Sequence, residues 1–167
     1  KNGGVVQTVA FAGYVKVTPP SAERTAALAK LAEEYKVPVN ALGRGGRGGG
    51  RAGRGNTPMA QLSEAQRAEL QQKLAGIDAT HPAPPRAGVK DFVDHIDYLV
   101  KKIGIDHVGI SSDFDGGGGV DGWNSAAETF NVTLELVRRG YTEPQIAQIW
   151  SGNLLRVMEQ VQKAAAQ

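Results

Sequence analysis

Apolar positions along this chain follow two periods. Residues 4–11 (GVVQTVAF) are almost continuously apolar and rich in β-branched side chains, which predicts a strand covered on both faces, as in a parallel sheet. Beyond Pro19 and Pro20, Ser21 stands as an N-cap for a helix in which Ala27, Leu28, Leu31, Ala32 and Tyr35 share one face. That helix is expected to end near Lys36, ahead of Pro38. Ser63, with Gln66 three residues on, predicts a capping box, and Leu70, Leu74 and Ile77 follow at i, i+4 and i+7. Residues 80–88 (THPAPPRAG) read as an irregular connection. The clearest amphipathic pattern comes next: Val89, Phe92, Val93, Ile96, Leu99, Val100 and Ile103 fall on one face, and Gly104 stands at the C′ position.

Residues 107–112 (HVGISS) then predict a second strand, running directly into DFDGGGG. The remainder reads as helical: 126–139 closed by Gly140, a capping box at Thr142 and Gln145, and a last helix from 153 to about 165. Gly152 and Asn153 are expected to form a turn between two packed helices. Helix followed by buried strand makes the class α/β. Two strands roughly a hundred residues apart cannot close a parallel sheet alone, since parallel sheets occur as larger assemblies covered on both faces. The chain is therefore expected to be part of a larger α/β sheet or barrel, with further strands from upstream sequence or another chain, and not to unfold cooperatively as an isolated monomer.

Composition narrows the function classes. At 167 residues, 41% hydrophobic and 22% charged, the chain has globular proportions, against a disordered or fibrous protein. The absence of cysteine removes disulfide scaffolds, thiolate zinc sites and cysteine nucleophiles. No apolar run approaches the roughly 18 residues of a membrane span, and the start at Lys1 suggests a processed product or a piece of a longer protein. The net charge of +2 rests on Arg44, Arg47, Arg51 and Arg54, set in a stretch otherwise almost all glycine; without them the balance turns negative. The basic charge thus belongs to one loop, expected to be a mobile insertion at about 43–56, and not to a nucleic-acid-binding face.

Polar residues just past the C-terminal end of a parallel strand occupy the place where α/β sheets and barrels put their sites. Asp113 is the leading candidate: its carboxylate could accept a proton from attacking water, hold a substrate ammonium or bind a metal. The plainer reading is that Asp113 and Asp115 cap a tight glycine turn. A calcium loop is excluded, because the twelfth position counted from Asp113 is Asn124 and not glutamate. Tyr14, just past the first strand, occupies the same kind of edge. His81, His95 and His107 match no zinc spacing and read as structural or solvated, with His107 beginning the second strand at the end opposite Asp113. Trp123 and Trp150 read as core or rim anchors.

The segments DHIDYLVKKIGIDHVGISSDFDGGGG, RRGYTEPQIAQIWSGNLLRV and KNGGVVQTVAF resemble the C-terminal part of a membrane (renal-type) dipeptidase, the zinc-dependent peptidase family M19. The resemblance runs from Lys1 to about Val161, interrupted by the Gly/Arg stretch. It implies that residues 1–167 are the last two strands and flanking helices of one TIM-barrel, (β/α)8, metal-dependent hydrolase domain. It implies hydrolysis of dipeptides to free amino acids, two bridged zinc ions, a homodimer, and a periplasmic or secreted location rather than a cytoplasmic one. The family's metal ligands, an N-terminal His-x-Asp, a middle-strand Glu and two later histidines, are absent here, so the zinc ligands are expected upstream of Lys1 and none in this chain. Of the family's functional positions, Asp113 would be catalytic and contact the substrate, and Tyr14 would line the substrate site. The chain alone is then expected to be inactive and to need the N-terminal part of the same barrel.

A different class of reading makes the Arg/Gly stretch a binding module for RNA or an acidic partner. Four arginines with no interleaved aromatic residue lack the stacking platforms of nucleic-acid contacts, which favours a surface insertion and no nucleic-acid partner.

Overall fold

The computed structural model describes residues 2–42 and 58–166; the Gly/Arg stretch expected to be a mobile insertion at about 43–56 lies outside the described residues. The chain groups into two compact units, Lys1–Val17 with Arg86–Gln167, and Thr18–Pro85.

The first unit is built on β1 (Val6–Val9) and β2 (Val108–Ser111). They pair in parallel from Val6 opposite Val108 to Val9 opposite Ser111, so both strands end at the same edge. Both are shorter than their apolar runs. Past β1 the chain turns into the single helical turn α1 (Ala12–Val15). Ahead of β2, Gly104 leaves the preceding helix at φ 84°, and Ile105–His107 form a 3-10 turn. His107 therefore precedes the strand instead of beginning it. β2 is buried at Val108, Gly109 and Ile110. On β1 only Thr8 is buried, and Val6 and Val9 remain 48% and 37% exposed. The covering expected on both faces of β1 is not supplied by the described residues.

Helix α4 (Val89–Ile103) packs Phe92, Val93 and Ile96 against Val108, Ile110 and Val120 with no exposure of those three helical side chains. Each contributes about 1.5–3 kcal/mol by burial. Ile103, expected on the same face, is exposed, because it lies in the last turn beside the exit at Gly104. The helix expected over 126–139 is divided: Ala126–Glu128 form a 3-10 turn, and α5 (Phe130–Arg138) follows, buried at Val132 and Leu136. Thr129, at the junction, accepts a hydrogen bond from Trp123 Nε1 at 3.1 Å. Arg139 locks α5 to α4, donating to Asp94 at 2.6 Å, Asp97 at 2.7 Å and Glu135 at 3.1 Å.

The expected turn at Gly152 and Asn153 is absent. Helix α6 (Glu143–Ala147), opened by the Thr142 N–H bonding Gln145 Oε1, continues through a π-helical turn (Gln148–Gly152) into α7 (Asn153–Ala165). Gly152 has φ −56° and ψ −42°, and the Asn153 N–H bonds the Gln148 carbonyl five residues back. The widened turn absorbs the glycine without breaking the helix.

The second unit is a helical pair, α2 (Ala22–Glu34) and α3 (Glu64–Thr80). Ser21 caps the first through the Arg24 N–H, and Ser63 and Gln66 form the predicted reciprocal box on the second. Lys36, at φ 52°, stands where a C′ glycine is usual, with the Val37 N–H bonded to Ala32 and the Lys36 N–H to Glu33. Leu28, Leu31, Ala32, Val37, Leu42 and Leu70 form this unit's core.

Candidate active site

Because β1 and β2 run parallel, their C-terminal ends lie side by side, and the loop after β2 is knitted to the end of β1. The Ala10 N–H donates to the Ser111 carbonyl at 2.9 Å, and the Gly119 N–H returns to the Ala10 carbonyl at 2.6 Å. Asp113 sits at the start of this loop with φ 53°, a left-handed conformation that costs a non-glycine residue about 1–2 kcal/mol but is most accessible to Asp and Asn. Its carbonyl accepts from the N–H groups of Gly116 at 3.1 Å and Gly118 at 2.6 Å. An added side chain here would meet fixed backbone at Gly118 and the movable Asp113 carboxylate at Gly116. A Cβ on Gly116 would lie 2.2 Å from Asp113 Oδ1, and one on Gly118 2.2 Å from the Ser112 carbonyl oxygen. The Asp113 carboxylate is exposed at the strand end, as is Asp115.

Beneath the loop, Phe114 meets the edge of Trp123 at 5.4 Å, and Trp123 contacts Phe92 at 5.4 Å and Trp150 at 5.8 Å. Trp123 is 2% exposed and anchors the core, as the sequence suggests. Tyr14 is 77% exposed and stacks on Phe11 with ring centroids 4.6 Å apart. Phe11 pairs through its backbone with Gly119. Tyr14 and Asp113 thus share the C-terminal edge of the sheet, joined through backbone and not through a hydrogen bond between them.

Two of the histidine rings bond backbone carbonyls, and His81 contributes a backbone carbonyl of its own. The His107 ring Nδ1 donates to the Gly4 carbonyl at 2.7 Å, the His95 Nε2 donates to the Val15 carbonyl at 2.9 Å, and the His81 carbonyl accepts from Arg24 at 2.5 Å. Among the described residues, no group of three or more His, Cys, Asp or Glu is placed to hold a metal ion. Isolated carboxylates without imidazole or thiolate partners do not fit a tight zinc site, so these residues do not by themselves fit the two zinc ions that the resemblance implies.

Three side chains whose role sequence reasoning did not identify organise the two ends of the strand pair, Asn153 at the start of β2 and Asp91 and Arg86 beside its C-terminal edge. Asn153 is 2% exposed, and its Nδ2 donates to the carbonyls of Ile105 at 2.7 Å and Val108 at 2.8 Å, fixing the start of β2. Asp91 accepts from Lys16 Nζ at 2.7 Å and from the Gly88 N–H at 2.9 Å. The Gly88 N–H, and then Lys16, hold its carboxyl below the usual carboxylate range. Arg86 donates to the Gly119 carbonyl at 3.1 Å. None of the three carried a signal in the sequence that pointed to these contacts, and Asn153 read there as part of a turn with Gly152. At the other end of β2, a surface groove lined by Asp106, Gln148 and Arg156 has its polar groups already engaged: Gln148 bonds Asp106, and Arg156 bonds the carbonyls of Gly3 and Asp106.

Residues 1–167 match the family model described as "Membrane dipeptidase (Peptidase family M19)". Dipeptidase tcpJ of Claviceps purpurea is 34% identical over 88 residues, which are 52% of this chain and 21% of that protein. Dipeptidase ataJ of Aspergillus terreus is 46% identical over 74 residues, 44% of this chain and 18% of that protein. The crystal structure of the probable dipeptidase PvdM from Pseudomonas aeruginosa superposes with a TM-score of 0.59 at 42% identity, covering 96% of this chain and 38% of that one. The aligned part is about a fifth of each of these two curated relatives and well under half of the solved one.

Proposed function

From the premise that this chain belongs to the membrane dipeptidase family, peptidase family M19, we propose that it supplies the C-terminal part of the active site of a dipeptidase. In this reading β1 and β2 are the last two strands of a (β/α)8 barrel whose N-terminal part lies in sequence outside residues 1–167. The exposed Val6 and Val9 on β1 support it, as side chains that further barrel elements would cover. The substrate is a dipeptide, cleaved to two free amino acids. The observation that carries the reading is Asp113: an exposed carboxylate held in a left-handed conformation at the C-terminal end of a parallel strand, where such folds place their chemistry.

An ionised carboxylate at that position can pair with the free ammonium of a dipeptide and so favour substrates with an unblocked N-terminus. It can also accept the proton of the attacking water and return it to the departing amine. Tyr14, exposed beside it, offers a phenol to line the substrate site. The zinc ions that the family implies would supply Lewis-acid chemistry, and their ligands are assigned to the N-terminal part. Assembly as a homodimer and a periplasmic or secreted location belong to the same proposal. No helix among the described residues is long and apolar enough to cross a membrane. The reading as a binding module rests on 43–56, outside the described residues, and no observation favours it.

The test is steady-state hydrolysis of an unblocked dipeptide by the complete protein. Asp113→Ala is expected to lower kcat/KM by about 10²–10⁴-fold, the usual contribution of a positioned acid–base group. Activity retained within a few-fold would remove Asp113 from the mechanism.

A further inference from the structure

We propose that Arg86 is a positioning residue for Asp113, an inference that rests on the dipeptidase reading of this site. Four consecutive glycines, Gly116 to Gly119, follow Phe114 and Asp115, and glycine loses the most backbone freedom on ordering. Such a loop holds Asp113 in a left-handed conformation only if its far end is fixed. Its near end is fixed by β2. At the far end, the Gly119 N–H is taken by the Ala10 carbonyl at 2.6 Å, and the Gly119 carbonyl by Arg86 Nη2 at 3.1 Å. Between these anchors the Asp113 carbonyl collects the N–H groups of Gly116 and Gly118.

The guanidinium is suited to this by its fork. While Nη2 holds Gly119, Nη1 reaches Asn124 Oδ1 at 3.4 Å and lies 3.5 Å from Asp121 Oδ1. One rigid group thus spans both sides of the chain leaving the loop, which a single ammonium cannot do. Arg86 is itself placed by a short parallel pairing: the Asp121 N–H donates to the Ala87 carbonyl at 2.9 Å, and the Val89 N–H to the Asp121 carbonyl at 3.1 Å. Asp91 extends the same tie, with one oxygen on the Gly88 N–H and the other on Lys16, two residues past Tyr14. The segments bearing both substrate-facing candidates are thereby referred to the N-terminus of α4.

The experiment compares Arg86→Met and Arg86→Lys in the complete protein by steady-state kinetics and by amide hydrogen exchange at Gly116 and Gly118. For R86M, kcat/KM is expected to fall by about 10- to 100-fold, since a displaced Asp113 both loses its hold on the substrate ammonium and transfers the proton less well. Exchange at the two glycines should accelerate by at least about tenfold through local opening, with R86K intermediate on both measures. Unchanged kcat/KM, or lowered kcat/KM without faster exchange at Gly116 and Gly118, would overturn the proposal. If R86M does not fold, R86K carries the same comparison. If the unsubstituted protein hydrolyses no dipeptide, the dipeptidase reading falls, and the exchange measurement still decides whether Arg86 holds the loop.

Discussion

Replacing Asn153 tests whether the start of β2, and with it the aim of the strand toward Asp113, depends on one buried amide. Asn153→Ala deletes two donors, to the Ile105 carbonyl at 2.7 Å and to the Val108 carbonyl at 2.8 Å, at a position only 2% exposed. An acceptor stranded without a partner in a buried setting costs about 1–3 kcal/mol. Carbonyls have two lone pairs, and the Ile105 carbonyl keeps the Val108 N–H, so the lower part of that range applies, about 1–2 kcal/mol in all. Asn153→Asp keeps the shape but turns an oxygen toward the same two carbonyls. At neutral pH that is a buried charge without a partner, and about 3–5 kcal/mol is expected.

The two variants separate further with pH. The introduced carboxyl is buried and faces two acceptors, so its pKa in the folded protein lies above the unfolded value of about 3.9. Stability of N153D is therefore fully present below about pH 4 and is lost as pH rises through the folded pKa, whereas the defect in N153A does not depend on the ionisation of residue 153. Urea denaturation of the complete protein at pH 7 and pH 4.5 reads this directly. If N153A cost less than about 1 kcal/mol, or N153D were no worse than N153A at pH 7, the amide would not be what holds β2.

Gly118→Ala places a Cβ 2.2 Å from the Ser112 carbonyl oxygen, so the loop must move; dipeptidase kcat should fall about 100-fold while the circular dichroism spectrum is unchanged. Gly76→Ala, inside α3 with nothing within 4 Å of the added Cβ, should raise stability by about 0.5–1 kcal/mol in urea denaturation. Asp91→Ala removes a carboxylate that the Gly88 N–H and Lys16 hold below the usual carboxylate range, so its cost of about 1 kcal/mol should be full above about pH 4. That cost should shrink as pH falls through the folded pKa, and equal differences from the unsubstituted protein at pH 3 and pH 7 would contradict the assignment.

Much of this architecture was legible because local rules act on few residues at a time. Ser21, Ser63 and Thr142 announce helix starts, the stripe from Val89 to Val100 names a core face, and Gly104 and Gly140 mark exits with positive φ. The two apolar runs each asked for a parallel neighbour, and the resemblance, which makes them the last two strands of a barrel, implied that they pair with each other, as they do. At Gly152 and Asn153 local rules misled, since a glycine followed by asparagine reads as a turn. The side chain of Asn153 has partners at Ile105 and Val108, 45 or more residues away, which a window along the chain cannot see. Arg86 stayed hidden for a related reason: its proline-rich neighbourhood says only loop, and its meaning comes from Gly119, 33 residues on. Asp113 was singled out because position at a strand end is itself a sequence property, while its left-handed backbone was not.

The π-helical turn also governs where this chain tolerates a change of length. A turn closed over five residues holds one residue more than an α-helical path between the same ends. Losing exposed Ser151 would let Gln148–Gly152 close to ordinary spacing, with Asn153 still aimed at β2 and Arg156 still on the Gly3 carbonyl. Losing a residue between Asn153 and Arg156 has no such slack, because each residue turns the helix by about 100°. Arg156 would then swing off Gly3, and the exposed Leu154 and Met158 would rotate relative to Asn153. Among natural variants of this chain, single-residue gaps in the last helix should gather at 148–152 and be absent a few residues further on.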